Sequence, residues 1–304
     1  MSTISDQIGI GITTKNRWQD LTETLSQISP ELQQCQVIVI DDGSSEPAPL
    51  ELVQRFPWAH FERSETSLGL IAQRNRLAQK LTAPFYLSID DDSYPISGDL
   101  GAAATWLGEH PDVVALAFRV VEGNTAEPEG AELAPPYPVR FYIGCAHLLR
   151  REAFLRLGGY REELQHMCEE FEFAVRAWKN GLTVYGYPGV CVRHHGSQAG
   201  RNGDRLNRLL TRNDLWIAAW HYPLDRFVLS FLNALPRTLR HPDHQKYWRS
   251  VIRGYGEAIW TLPTVLRKRA PLSSAQQKAW RQTAAPSVLV HRREINPPAD
   301  ALKA

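Results

Sequence analysis

Three short apolar runs, each closing in a cluster of polar side chains, constrain the fold of this chain more than any other feature. "IGIGIT" (8–13) leads into Thr13-Thr14, "CQVIVI" (35–40) into Asp41-Asp42, and "FYLSI" (85–89) into Asp90-Asp91-Asp92. Short β-branched runs of this kind read as strands buried on both faces. Between the first two, Leu21, Leu25 and Ile28 recur at helical spacing, and "LIAQRNRLAQKL" (70–81) reads as a helix feeding the third strand. "VVALAFRVV" (113–121) reads as a further strand. This alternation predicts a parallel sheet flanked by helices, a fold in which ligands sit beyond the carboxyl ends of the strands.

The polar clusters therefore converge where a ligand would lie. Strand alternation places Asp90 and Asp92 on one side, and carboxylates gathered at one strand end repel each other unless a cation neutralises them. Hard oxygen donors suit Mg²⁺ or Mn²⁺, with a substrate diphosphate completing the shell. The same aspartates also suit a turn before Tyr94-Pro95, which needs no cation. A second acidic group lies in "CEEFEFAVRAWKNG" (168–181), where Phe171, Ala174, Val175 and Trp178 mark the apolar face of a helix and Gly181 its stop. Glu169 and Glu170 occupy its first turn, a place favoured by the helix dipole and equally open to a general base. "LTVYGYPGVCVRHHGS" (182–197) reads as a strand ending in His194-His195, a pair suited to a metal or phosphate contact.

With 304 residues, of which 43% are hydrophobic, the chain can bury a substantial core as one large domain or two smaller ones. Four scattered cysteines without a CxxC pair predict neither zinc site nor disulfide framework. The N-terminus does not read as a signal peptide, and no apolar run approaches the roughly 18 residues of a bilayer span, so a cytoplasmic protein is expected. Charge is divided unevenly. Residues 1–200 hold 16 Lys/Arg against 26 Asp/Glu, and residues 201–304 hold 18 against 7, so a net −10 is followed by +11. Two regions are expected, 1–200 and 201–304, with a polar, proline-rich loop at 122–138 inside the first. The second contains three amphipathic stretches rich in Trp, Leu and Arg, at 206–223, 224–239 and 247–269. These suit packing against the sheet or a second copy, and also peripheral contact with the anionic inner face of a membrane. Nucleic acid is not expected beside so acidic a first half.

Taken in order, "ITTKNR" (12–17), "VIVIDDGSSE" (37–46), "SLGLIAQRNRLAQKLTAPFYLSIDDD" (67–92), "LRREAFLRLGGY" (149–160), "EEFEFAVRAWKNG" and "VRHHGS" resemble the family 2 glycosyltransferases of the GT-A fold. The resemblance implies a Rossmann-like mixed, mainly parallel sheet flanked by helices, followed by a C-terminal helical region. It also implies inverting transfer of a sugar from a nucleotide diphosphate-sugar to an acceptor hydroxyl on a glycan, a lipid-linked sugar or a small molecule. By this resemblance Thr13 and Asp42 hold the nucleotide base, with Arg17 and Arg74 near the nucleotide or its phosphates. Asp90 faces the ribose, Asp91 assists, Asp92 ligates Mn²⁺ or Mg²⁺, and His194 or His195 closes the metal site. Glu170 stands where the family usually has the Asp of a Glu-Asp pair that acts as base; its extra methylene calls for a shifted helix or for Glu169 to compensate. Two rivals remain: a sugar-phosphate nucleotidyltransferase, for which the glycine-rich phosphate loop is incomplete, and a non-catalytic relative that only binds nucleotide sugars.

Overall fold

A computed structural model describes residues 3–128, 130–197, 202–240 and 246–285; the end of the basic C-terminal region, 286–304, lies outside them. The strands are β1 (Ile8–Thr14), β2 (Gln36–Asp41), β3 (Ala59–Arg63), β4 (Phe85–Asp90), β5 (Ser93–Gly98), β6 (Val113–Glu122), β7 (Tyr137–Val139), β8 (His147–Arg150) and β9 (Thr183–His194). They form one mixed sheet in the order β3-β2-β1-β4-β8-β6-β9-β5, with β7 also on β9. β1 pairs parallel with β2 and β4, as does β2 with β3 and β6 with β9, whereas β8 runs antiparallel to β4 and β6, and β5 and β7 antiparallel to β9.

Alternation along the strands sorts the sheet into two cores. Ile8, Ile10 and Ile12 join Val37, Val39, Leu87 and Ile89 on one face, under Leu21 and Leu25 of α2 (Trp18–Gln27) and Leu100 and Leu107 of α5 (Leu100–Glu109). Ile38, Ile40 and Tyr86 point the other way, toward α4 (Leu70–Lys80), α6 (Arg151–Arg156) and α7 (Glu169–Lys179). The glycines of "IGIGIT" let α4 lie close. A Cβ at Gly9 would come within 2.7 Å of Leu81, and one at Gly11 within 2.7 Å of Tyr86.

The C-terminal stretches form α8 (Gly203–His221), α9 (Leu224–Arg240), α10 (Trp248–Leu266) and α11 (Ser274–Gln282). Trp216, Trp220 and Trp280 enter the same core as Phe173 and Val175, so these helices extend the core on the second face of the sheet, with Trp280 against Phe171 and Trp178 of α7. Among the described residues no helix is long and apolar enough to cross a membrane. The four cysteines are unpaired, and the proline-rich loop is tied back to the sheet through Glu127, which accepts from Ser97 Oγ at 2.7 Å and pairs with Arg119.

Candidate active site

Parallel pairing brings the ends of β1, β2 and β4 to one rim, with Thr13 opposite both Ile40 and Asp90, and Thr14 opposite Asp41. Beyond Asp90 the chain turns through Asp91 and Asp92 and re-enters the sheet at once as β5, where Ser93 pairs with His194 of β9. The turn reading and the strand-end reading of the triplet thus describe the same geometry. The reversal carries the last two aspartates back over the rim toward the end of β9.

Two arginines organise this charge. Arg17 donates from Nη1 to Asp91 Oδ1 at 2.8 Å and from Nη2 to Asp92 Oδ2 at 2.7 Å, while its Nε meets Asp20. Arg74, buried on α4, reaches Asp90 Oδ1 from Nη2 at 2.7 Å and shares Nη1 between Glu169 Oε1 at 3.1 Å and Glu170 Oε1 at 3.0 Å. Six carboxylates therefore face two guanidinium groups, and the surplus of formal charge is negative. Burial pushes Asp91 up to about 7 despite Arg17 and the Thr14 hydroxyl bond. It likewise raises both glutamates, Glu170 further through the adjacent Glu169 carboxyl. Asp92 goes the other way: burial opposes its charge, yet the His194 hydrogen bond, with Arg17, holds it well below the usual carboxylate range.

The two glutamates differ in access. Glu169 is fully enclosed, with Oε2 lacking a partner, whereas the Glu170 side chain keeps 15% of its surface open. The loop before β8 lies directly against them. A Cβ on Gly144 would stand 2.2 Å from Glu170 Oε1 and 2.7 Å from Arg74 Nη1, so a larger residue there would have to push one of these two side chains aside.

At the other end of the cluster, His194 Nε2 lies 3.4 Å from Asp92 Oδ1, while Asp92 Oδ2 is occupied by Arg17 and by the Ser197 backbone N–H at 2.9 Å. Ligand atoms at right angles on one cation, each at about 2.1 Å, lie about 3 Å apart, so Asp92 Oδ1 and His194 fit a shared Mg²⁺ or Mn²⁺. Asp90, Cys145 and His194 also hold ligand atoms within 4.8 Å of one another. Cys145 suits a hard cation less well, because burial pushes its thiol well above the usual range and keeps it neutral.

Of the residues singled out in the sequence, Arg17, Arg74, Asp90, Asp91, Asp92, Glu169, Glu170 and His194 come together. His195 does not; its Nε2 turns to Tyr94 OH at 3.1 Å and Glu23. Thr13 sits on the rim, but its neighbour Thr14 is the one that bonds Asp91. Asp42 lies on the same rim with its carboxylate filled from within: it accepts from Leu68 N, Ser67 Oγ, Gly69 N and Gln73 Nε2, at 2.7, 2.6, 3.0 and 2.6 Å. It thereby fastens the loop that starts α4, the helix carrying Arg74. Gly144 and Cys145 were missed, and "FYIGCAH" (141–147) offers no periodic or motif signal that marks them.

Residues 10–161, half of the chain, match the family described as Glycosyl transferase family 2. The chain belongs to that family. The matched residues of this family 2 chain include both arginines and the three aspartates, while Glu169, Glu170 and His194 lie beyond them and are placed by geometry alone. No curated protein matches the chain in sequence. Solved structures share its GT-A fold at low identity. A structure of GalNAc-T7 with UDP, GalNAc and Mn²⁺ superposes with a TM-score of 0.62 at 17% identity, covering 86% of this chain; this chain spans only 58% of that one. TarS 1–349 of S. aureus in complex with UDP-GlcNAc gives 0.57 at 18%, covering 86% and 84%. The mannosyltransferase PcManGT from Pyrobaculum calidifontis, with GDP-Man and Mn²⁺, gives 0.52 at 15%, covering 86% and 73%.

Proposed function

We propose that this protein is an inverting glycosyltransferase that moves a sugar from a nucleotide diphosphate-sugar to an acceptor hydroxyl on a glycan, a lipid-linked sugar or a small molecule. The observation that carries the reading is the buried Arg74 guanidinium, which joins Asp90 at the nucleotide rim to Glu169 and Glu170 at the start of α7. Family membership and the nucleotides named for the similar structures support the choice of donor. Thr13 and Asp42 are assigned to the base side of the rim and Asp90 to the ribose. A divalent cation, Mn²⁺ or Mg²⁺, would be held by Asp92 and His194, with Asp90 near. Bound there, it would neutralise the charge that develops on the diphosphate leaving group.

The chain's own residues do the rest. Arg17 occupies one oxygen of Asp92 and leaves the other toward His194, which fixes how that carboxylate is presented. Glu170, more open than Glu169, takes the proton from the attacking hydroxyl on the side opposite the leaving group. Glu169 remains behind it on the same Arg74 nitrogen, and its charge strengthens Glu170 as a base. A single displacement of this geometry inverts the anomeric centre.

The test is a panel of nucleotide sugars with Mn²⁺ or Mg²⁺, scored for protection against thermal unfolding and for slow donor hydrolysis. One donor is expected to stand out. Asp92→Asn should lose cation-dependent donor binding, and Glu170→Gln should keep binding and lose transfer. Normal transfer by both variants refutes the assignment, and tight binding without turnover by the wild type points to a non-catalytic relative.

A further inference from the structure

The basic excess of residues 201–304 is partly consumed within the fold. Arg212 donates to the Leu164 carbonyl, Arg269 to the carbonyls of Ala219 and Tyr222, Arg208 pairs with Glu257, and Lys268 pairs with Glu163. Three arginines on α10 and at its C-terminal cap are left over. Arg249, Arg253 and Arg267 are exposed and make no ion pair among the described residues; Arg249 only stacks on its neighbour Trp248.

Their surroundings are unusual for a solvated face. Trp248, Ile252, Ile259 and Leu266 are exposed on α10 and, at about 100° per residue, fall in one stripe about 40° wide. The arginines flank this stripe on one side, and among them stands Trp260, 87% exposed. The helix has a single acid, Glu257, already paired with Arg208, so its outer face is apolar and cationic with no compensating negative charge. α9 packs alongside, with Tyr255 OH donating to the Phe231 carbonyl, and exposes Leu224, Val228 and Leu232 at four-residue spacing.

From this combination we infer that the outer face of α9 and α10 docks the protein on an anionic phospholipid surface. Arginines beside exposed tryptophan and aliphatic side chains match the layering of a lipid interface, where the apolar groups enter the acyl boundary and the cations remain among the phosphates. The charge pattern decides against a second copy of this chain as occupant. A two-fold interface sets the same patch against itself, and this patch carries three arginines and no unpaired acid among the described residues of α10 to answer them. Docking of this kind confines the enzyme to a surface and leaves the carboxylate site, built from other elements, free to turn over.

The experiment is co-sedimentation of the full chain with phosphatidylcholine vesicles carrying roughly one third phosphatidylglycerol, against pure phosphatidylcholine, at low and high salt. Binding to the anionic vesicles that weakens with salt is expected. Replacing all three arginines by Gln should lower the partition coefficient on the order of a hundredfold, from roughly a fivefold contribution per arginine. Trp260→Ser should weaken binding and remove a blue shift of tryptophan emission on vesicle addition. All substituted positions are exposed, so unchanged thermal unfolding is expected to accompany these losses. Equal binding to both vesicle types, or none to either, overturns the inference. So does a concentration-dependent dimer in ultracentrifugation that Trp260→Ser abolishes.

Discussion

Glu172→Gln should destabilise the protein by about 3 kcal/mol at neutral pH, and the reason lies two residues beyond the proposed base. Glu172 is fully buried on α7, where its carboxylate accepts from Arg161 Nε at 2.8 Å, from Arg176 Nε at 2.8 Å and from His221 Nε2 at 2.9 Å. Burial lowers His221, so it is the neutral ring that donates, from α8. For Glu172 burial favours the neutral acid, but the His221 hydrogen bond and the charges of Arg176 and Arg161 outweigh it and hold the group at about 2 instead of 4.5. At about 1.4 kcal/mol per pH unit, that difference corresponds to about 3 kcal/mol. Glutamine keeps the shape, loses the charge and turns an N–H donor into a cluster of donors. The sign follows from linkage: a carboxyl depressed in the folded state stabilises fully above its unfolded value and loses this as pH falls toward the folded one. Urea unfolding of wild type and variant should therefore differ by about 3 kcal/mol at pH 7, and the gap should narrow progressively below about pH 4.5. A gap under about 1 kcal/mol at pH 7, or one that does not change with pH, would refute the reasoning.

Other consequences concern the carboxylate cluster. Gly144→Ala should cut kcat by at least about tenfold while donor binding persists, because the new methyl displaces Glu170 or Arg74; steady-state kinetics beside donor calorimetry would separate the two effects. The ascending limb of the pH–rate profile should lie above the ordinary glutamate range, since burial and Glu169 raise Glu170 and a base acts only when deprotonated, and Glu170→Gln should remove that limb. Arg74→Met should cost roughly 3–5 kcal/mol in thermal or urea unfolding by stranding Asp90, Glu169 and Glu170, with partial recovery on adding excess divalent cation.

The strands that build the rim were legible because β1, β2 and β4 are buried on both faces and read as continuous apolar runs. The others carried weaker signals: β3, "AHFER", is a mostly polar edge strand, β8 has only four residues, and β5 contains a proline and ends in glycine. In the site, the acidic clusters were visible as clusters, but their joining through Arg74 was not, since that arginine meets a glutamate 95 positions away. Alternation allows only one of His194 and His195 on the side of the aspartates, and only the folded chain shows that it is His194 that meets Asp92. Adjacent residues leaving a strand point to opposite sides, so the pair could not close one site together.

The start of α7, which carries Glu169 and Glu170, is set from outside the sheet. The turn that starts α7 holds three residues other than glycine at positive φ, Gln165 at 63°, Met167 at 71° and Cys168 at 71°. Such residues cost about 1–3 kcal/mol each and persist only where the surroundings over-determine them. Here the surroundings are α8: Asn213 Nδ2, fully buried, donates to the carbonyls of Leu164, His166 and Met167 at 3.0, 2.8 and 2.9 Å, and Arg212 adds a bond to Leu164 at 3.0 Å. His221 also holds the first turn of α7 through Glu172. Both glutamates consequently meet Arg74 at a common nitrogen, with Glu170 folded against Gly144. The helix begins there because α8 clamps the strained turn. A chain cut at residue 200 would keep every side chain of the carboxylate cluster and lose the ones that aim it.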